Sequence, residues 1–119
     1  ANPALRRVIR YGDGWLAVAL DAIRMKERLS TLKQLCESTG RVFDDLDLVY
    51  KIFINPGEAK KGPFGEREIG SGSEQQIIDD LKSILDAGFS SIIVRYRGDS
   101  AKAQQLQMER FAEKIIPRL

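Results

Sequence analysis

The chain has 119 residues, 43% of them hydrophobic and 30% charged, which sets one globular unit with room for a single core. Nineteen Lys and Arg against 17 Asp and Glu leave a net charge of +2, too mild and too evenly spread for a nucleic-acid footprint. Histidine is absent, which removes the commonest general base, the usual zinc ligand and every Ser-His or Cys-His device. The single cysteine, Cys36, excludes an intrachain disulfide framework and fits a reducing cytoplasm. No apolar run approaches the roughly 18 residues of a membrane span, and the N-terminal residues do not read as a signal peptide. The expected partner is a small-molecule substrate, with neither nucleic acid nor membrane.

The chain opens on a short amphipathic helix. Asn2 suits an N-cap and Pro3 the first helical position, where a missing N–H costs nothing. Ala4, Leu5, Val8 and Ile9 recur at helical spacing opposite Arg6, Arg7 and Arg10. Gly12 is expected to end this helix at positive φ. Starting on a helix cap with no strand before it, the chain reads as a cut piece.

Gly14 to Ala19 is apolar throughout, as a strand buried on both faces should be. Leu20 to Thr39 reads as a helix with Asp21 as its cap and Met25, Leu29, Leu32, Leu35 and Cys36 on its stripe. Cys36 on that stripe is a buried inert thiol rather than a reactive one. After a polar connector, in which Asp44, Asp45 and Asp47 form a turn and not a calcium loop, Leu48 to Ile54 is a second strand. Residues 55–72 read as a loop or lid, because Lys60, Lys61, Gly62, Pro63 and Gly65 show no periodicity.

Ser73 with Gln76 makes a capping box for a third helix bearing Ile77, Ile78, Leu81, Ile84 and Leu85. Gly88 ends it, and Phe89 to Val94 is the third strand. Ser100 or Asp99 caps a last helix whose Leu106, Met108, Phe111, Ala112, Ile115 and Ile116 are expected in the core until Pro117 stops it.

Strands alternating with helices imply right-handed crossovers and a parallel sheet. Ligands of such sheets gather at the C-terminal strand ends, here 16–21, 55–73 and 95–100. Each segment carries two readings. Arg95 and Arg97 clamp an anion, or flank a strand end and pair with Asp99 or a helix carboxylate. Lys60 and Lys61 attract an acidic ligand or are simply solvated. Trp15 packs in the core or faces a ligand. No nucleophile–base pair, phosphate loop or metal constellation occurs, so no catalytic residue and no metal ligand is assigned.

Five stretches in order resemble the bacterial luciferase-like monooxygenases, and within them the deazaflavin-dependent branch. They are Ala4-Leu5-Arg6-Arg7 with Gly12-Asp13-Gly14-Trp15-Leu16; Gly72-Ser73; Ala87-Gly88-Phe89 with Ile92-Ile93-Val94; Gly98-Asp99-Ser100; and Arg110-Phe111-Ala112-Glu113 closing on Pro117-Arg118-Leu119. The resemblance implies an α/β fold that is a partial (β/α)8 TIM barrel, its last three parallel strands with flanking helices, in one unit over residues 1–119. It implies hydride transfer through deazaflavin (coenzyme F420) or FMN, in an enzyme of which this chain is the C-terminal portion and inactive alone. In that family a glycine pair typically precedes the position of Ala1, and the cofactor phosphate rests there and on the following helix. The resemblance therefore assigns cofactor contact to Ala1, Asn2, Pro3, Trp15 and Leu16. The alternative is a non-catalytic self-assembling half-barrel, and under either reading exposed strand edges imply a homo-oligomer.

Overall fold

The computed structural model describes residues 2–18, 21–57, 59–62, 65–96 and 100–119, the Asn2 side chain excepted. Helix α1 spans Asn2–Tyr11, strand β1 Gly14–Val18, helix α2 Ala22–Thr39 and strand β2 Asp47–Pro56. A two-residue strand β3, Ser71–Gly72, precedes helix α3, Glu74–Asp86; strand β4, Ser91–Tyr96, and helix α4, Ala101–Lys114, complete the chain.

Local chemistry fixes the helix starts. Asp21 accepts from the Arg24 N–H at 2.7 Å. Ser73 accepts from Gln76 N–H at 3.1 Å while the Gln76 side chain accepts from Ser73 N–H at 2.9 Å, and Ser100 accepts from Ala103 N–H at 3.1 Å. Each bond satisfies one of the orphan donors of a first helical turn. The end of α1 departs from expectation: Gly12 does not take a positive φ, and its N–H donates to the Val8 carbonyl at 2.8 Å. A Cβ at Gly12 would stand 3.1 Å from the same oxygen, so close backbone approach and not handedness suits glycine here. Arg41 finishes the helix end by donating to the Ile9 carbonyl at 2.8 Å and the Val8 carbonyl at 3.4 Å.

The sheet is parallel and runs in chain order. Strand β2 is central, with β1 along one side, paired from Gly14–Asp47 to Val18–Lys51, and β4 paired from Val49–Ser91 to Ile54–Tyr96. β3 adds a short parallel extension at Asn55 and Pro56. Neighbours in sequence being neighbours in the sheet is the order of a singly wound barrel wall, whereas a doubly wound sheet reverses its order at a switch point.

Alternation divides the sheet into two unlike faces. Leu48, Tyr50, Ile52 and Ile54 of β2, with Ala17 of β1, are buried against the helices. The helices reply with Leu5 and Ile9, Met25, Leu29 and Leu32, and Ile77, Ile78, Leu81 and Ile84. Tyr50 meets Phe89 edge-on at 5.4 Å between ring centres, and Tyr96 meets Phe111 in the same way at 5.8 Å.

The opposite face has no helix on it among the described residues. Leu16, Val18 and Ile93 remain 50%, 46% and 49% exposed there. The radius of gyration agrees, 15.5 Å against about 13.5 Å for a closed domain of this length. The expectation that β1 is buried on both faces is thus corrected: one face is open.

Two other core expectations also change. Leu106, Met108 and Ala112 of α4 and Ile116 in the 3-10 turn Ile116–Arg118 that follows it are exposed, as is Leu85 of α3; only Phe111 and Ile115 carry the α4 side of the core. The cause is that α4 docks along a narrow line, through Phe111 on Tyr96 and through Arg110, whose guanidinium donates to Glu74 at 3.1 and 3.2 Å.

Candidate functional site

The C-terminal ends of the strands are the place to look, because that is where parallel β/α architectures expose loops and helix N-termini. At the end of β2 the chain is tied down tightly. Lys60 N–H donates to Ser71 Oγ at 2.9 Å, Ser71 Oγ donates to the Glu68 carbonyl at 2.7 Å, and Glu68 N–H donates to the Lys60 carbonyl at 2.6 Å. Lys61 and Arg67 form an antiparallel bridge across this segment. Ser71 is the buried polar residue at its centre.

One ion pair anchors the segment to α3. Arg67 donates through both Nη atoms to the Asp80 carboxylate, at 3.0 and 2.5 Å, and Nη1 also reaches the Ser71 carbonyl at 2.5 Å. Asp80 Oδ2 additionally accepts the Gly70 N–H at 2.8 Å. A bidentate guanidinium–carboxylate pair with further bonds on both sides fixes geometry as well as charge. Sequence reasoning missed this pair. Its partners lie 13 residues apart, and no local pattern joins an aperiodic loop to a helix.

The assigned cofactor residues fall in three different settings. Ala1 lies outside the described residues, and Asn2 and Pro3 begin α1, with Pro3 exposed. That helix has no acidic side chain in its first turn, so nothing opposes an anion there. Trp15 faces the helices, its ring 6.1 Å from that of Phe89. Leu16, the next residue, faces the open side. Alternation therefore places Trp15 and Leu16 on opposite sides of the sheet, and they cannot line one surface together.

The remaining candidates separate in the same way. Lys60 and Lys61 are exposed on the tied segment, while Arg97 and Asp99 lie outside the described residues. Arg95 stands on the open face in register with Phe53. Asp44 and Asp45 form a single 3-10 turn, Phe43–Asp45. Cys36 is fully buried; burial pushes its thiol up from the usual range, Arg41 pulls the other way, and Glu37 adds to the rise.

A raised thiol is a protonated, unreactive thiol at neutral pH. Labelling of the native chain by a thiol reagent is expected to be slow and to become fast only on unfolding; immediate stoichiometric labelling would contradict the burial. The sign for stability follows from the same shift. The folded state holds the Cys36 proton more tightly than the unfolded state, so this contribution is complete at neutral pH and is lost as pH climbs through the alkaline range.

No family model matches the sequence, and no curated protein matches it either. Solved structures do. An F420-dependent secondary alcohol dehydrogenase in complex with an F420–acetone adduct superposes at a TM-score of 0.71 and 11% identity, over 98% of this chain and 46% of that one. The coenzyme F420-dependent tetrahydromethanopterin reductase from Methanopyrus kandleri superposes with the same score and identity, over 98% of this chain and 48% of that one. The fold is that of a partial (β/α)8 barrel. At this level of identity the superposition speaks for fold alone, and the chain spans slightly under half the length of the structures it matches. In a partial barrel the open face is the side that a complete barrel turns toward its axis. Among the described residues no helix is long and apolar enough to cross a membrane.

Proposed function

We propose that this chain is the C-terminal portion of a luciferase-like oxidoreductase that passes hydride through a deazaflavin, working in the cytoplasm on a small-molecule substrate. The observation that carries the reading is a parallel sheet whose three long strands lie in chain order with helices on one face, a fold that aligns nearly the whole chain with two F420-dependent enzymes. The ordered sequence motifs, from Ala4-Leu5-Arg6-Arg7 to Pro117-Arg118-Leu119, support it independently.

The residues present suit an anionic cofactor. The start of α1, at Asn2 and Pro3, presents the positive end of a ten-residue helix with no carboxylate in its first turn, which favours an anion there; Ala1, which the resemblance also assigns, lies outside the described residues. Leu16 would border the cofactor from the open face. Trp15, held on Phe89, would act by fixing β1 and not by touching it. When bound, a deazaflavin supplies two-electron hydride chemistry, so the protein needs to bind, orient and exclude water and needs no nucleophile of its own. The Arg67–Asp80 pair serves that end by holding the residues after β2 in one geometry.

Fluorescence titration tests the reading. The native gene product is expected to bind deazaflavin in preference to FMN, and preference for FMN would move the assignment to the flavin branch. This chain alone is expected to bind either one weakly. Sub-micromolar affinity of the isolated chain would overturn its reading as a portion of a larger site.

A second reading, a non-catalytic half-barrel that self-assembles, draws on one observation: among the described residues β1 and β4 each pair with β2 only, leaving both outer edges free. Unpaired edges are templates for another strand. That reading predicts a stable homo-oligomer joined through strand edges, and sedimentation as a folded monomer would exclude it.

A further inference from the structure

The open face of the sheet is apolar but not neutral. Val18, Lys51 and Ile93 form one row across the three long strands, and Phe53 and Arg95 form part of the next. Lys51 holds its ammonium group 5.7 Å from the centre of the Phe53 ring, and Arg95 is exposed. Among the described residues neither cation makes an ion pair. Among the described strand residues the acidic one sharing this face is Asp47, at the first position of β2. At about 3.3 Å per residue it lies roughly 13 Å below the Lys51 row and roughly 20 Å below the Arg95 row.

We propose that this face is closed by a β/α segment of different sequence, one whose inward strands bring carboxylates level with Lys51 and Arg95. The inference rests on the partial-barrel reading and adds to it the chemistry of the missing wall. A barrel interior is packed by side chains and excludes water, and a charge enclosed there without a partner is costly. Leu16, Val18 and Ile93 require an apolar partner surface; Lys51 and Arg95 require that surface to be acidic at two levels.

A second copy of this chain fits poorly as the closing wall. All strands of such a barrel run the same way, so a copy would place its own Lys51 and Arg95 in the same two layers. Four cations would share the interior, and among the described strand residues of this face the carboxylate is Asp47, about 13 Å along the strand from the Lys51 row.

The probe for the acidic wall is the chain itself with Lys51→Glu and Arg95→Glu, which carries the reversed charges on an otherwise equal apolar face. Sedimentation velocity is run on wild type, on the double variant and on an equimolar mixture, each up to about 100 μM. The expected result is a 1:1 complex in the mixture only, weakened at least several-fold between low salt and 1 M salt, where screening shortens to about 3 Å. Wild type pairing with itself as tightly as with the variant would overturn the proposal, and so would a mixture that does not associate. Circular dichroism and the thermal midpoint establish that the variant folds; should it not, Arg95→Glu alone carries the same outcomes with a shallower salt dependence. Mixed association without deazaflavin binding by the native product would sink the enzymatic reading and leave the acidic wall standing. The converse would sink the acidic wall alone.

Discussion

Gly70→Ala is expected to destabilise the chain by about 2–4 kcal/mol, seen as a lower denaturation midpoint by circular dichroism. Two costs add at this residue. Its φ is +92°, which an L side chain adopts at a cost of about 1–2 kcal/mol. A Cβ would also stand 2.3 Å from the Phe53 carbonyl oxygen and against the Ile52 side chain, so the backbone of β2 or of the following segment would have to move. Gly70 cannot shift freely, because its carbonyl accepts the Asn55 N–H at 2.8 Å and its own N–H is held by Asp80. Gly65 is the control. Its φ is +83° but a Cβ there meets open space, so Gly65→Ala reports the conformational cost alone. Equal losses at the two positions would show that the close approach of Gly70 to β2 contributes nothing.

What the sequence disclosed follows from how local each signal is. Asp21, Ser73 with Gln76, and Ser100 were readable as caps because each bond spans three residues. The parallel sheet was readable from the alternation of helical and strand periods. β3 was not, since two residues carry no period, and neither was the Arg67–Asp80 anchor. The stripes on α2 and α3 largely met the core, whereas Leu106 and Met108 on α4 did not. Periodicity shows which side of a helix is apolar and says nothing about whether a neighbour is there to cover it.

The run from Gly14 to Ala19 teaches the same lesson from the other direction. It is apolar at every position, the pattern of a strand covered on both faces, yet Leu16 and Val18 are half exposed. The pattern is suited to a closed barrel, and the structure of this chain holds only part of one. For the candidate site this matters directly. Trp15 and Leu16 looked like one cofactor-facing pair, and the pleat sends the first to the helices and the second to the open side.

A comparison of Ile52→Ala with Ile93→Ala measures how far that open side is covered in solution. Ile52 is 1% exposed between β2 and the helices, and its truncation is expected to cost about 2–5 kcal/mol through lost burial and the cavity left behind. Ile93 is 49% exposed on the other face, and its truncation in the isolated chain is expected to cost about 1 kcal/mol or less, the scale of strand propensity on an uncovered surface. Urea denaturation at two protein concentrations separates the possible covers. A small cost at Ile93 at both concentrations means that the face is bare in the isolated chain. A cost that grows with concentration means that a second copy covers it, which is the outcome that the Lys51 and Arg95 layers oppose. The proposed wall predicts that in the native gene product the cost at Ile93 approaches that at Ile52, because closure would convert a half-exposed strand residue into a buried one. Were it to stay small there, the face would be open in the working protein, and the proposed closing wall would be absent.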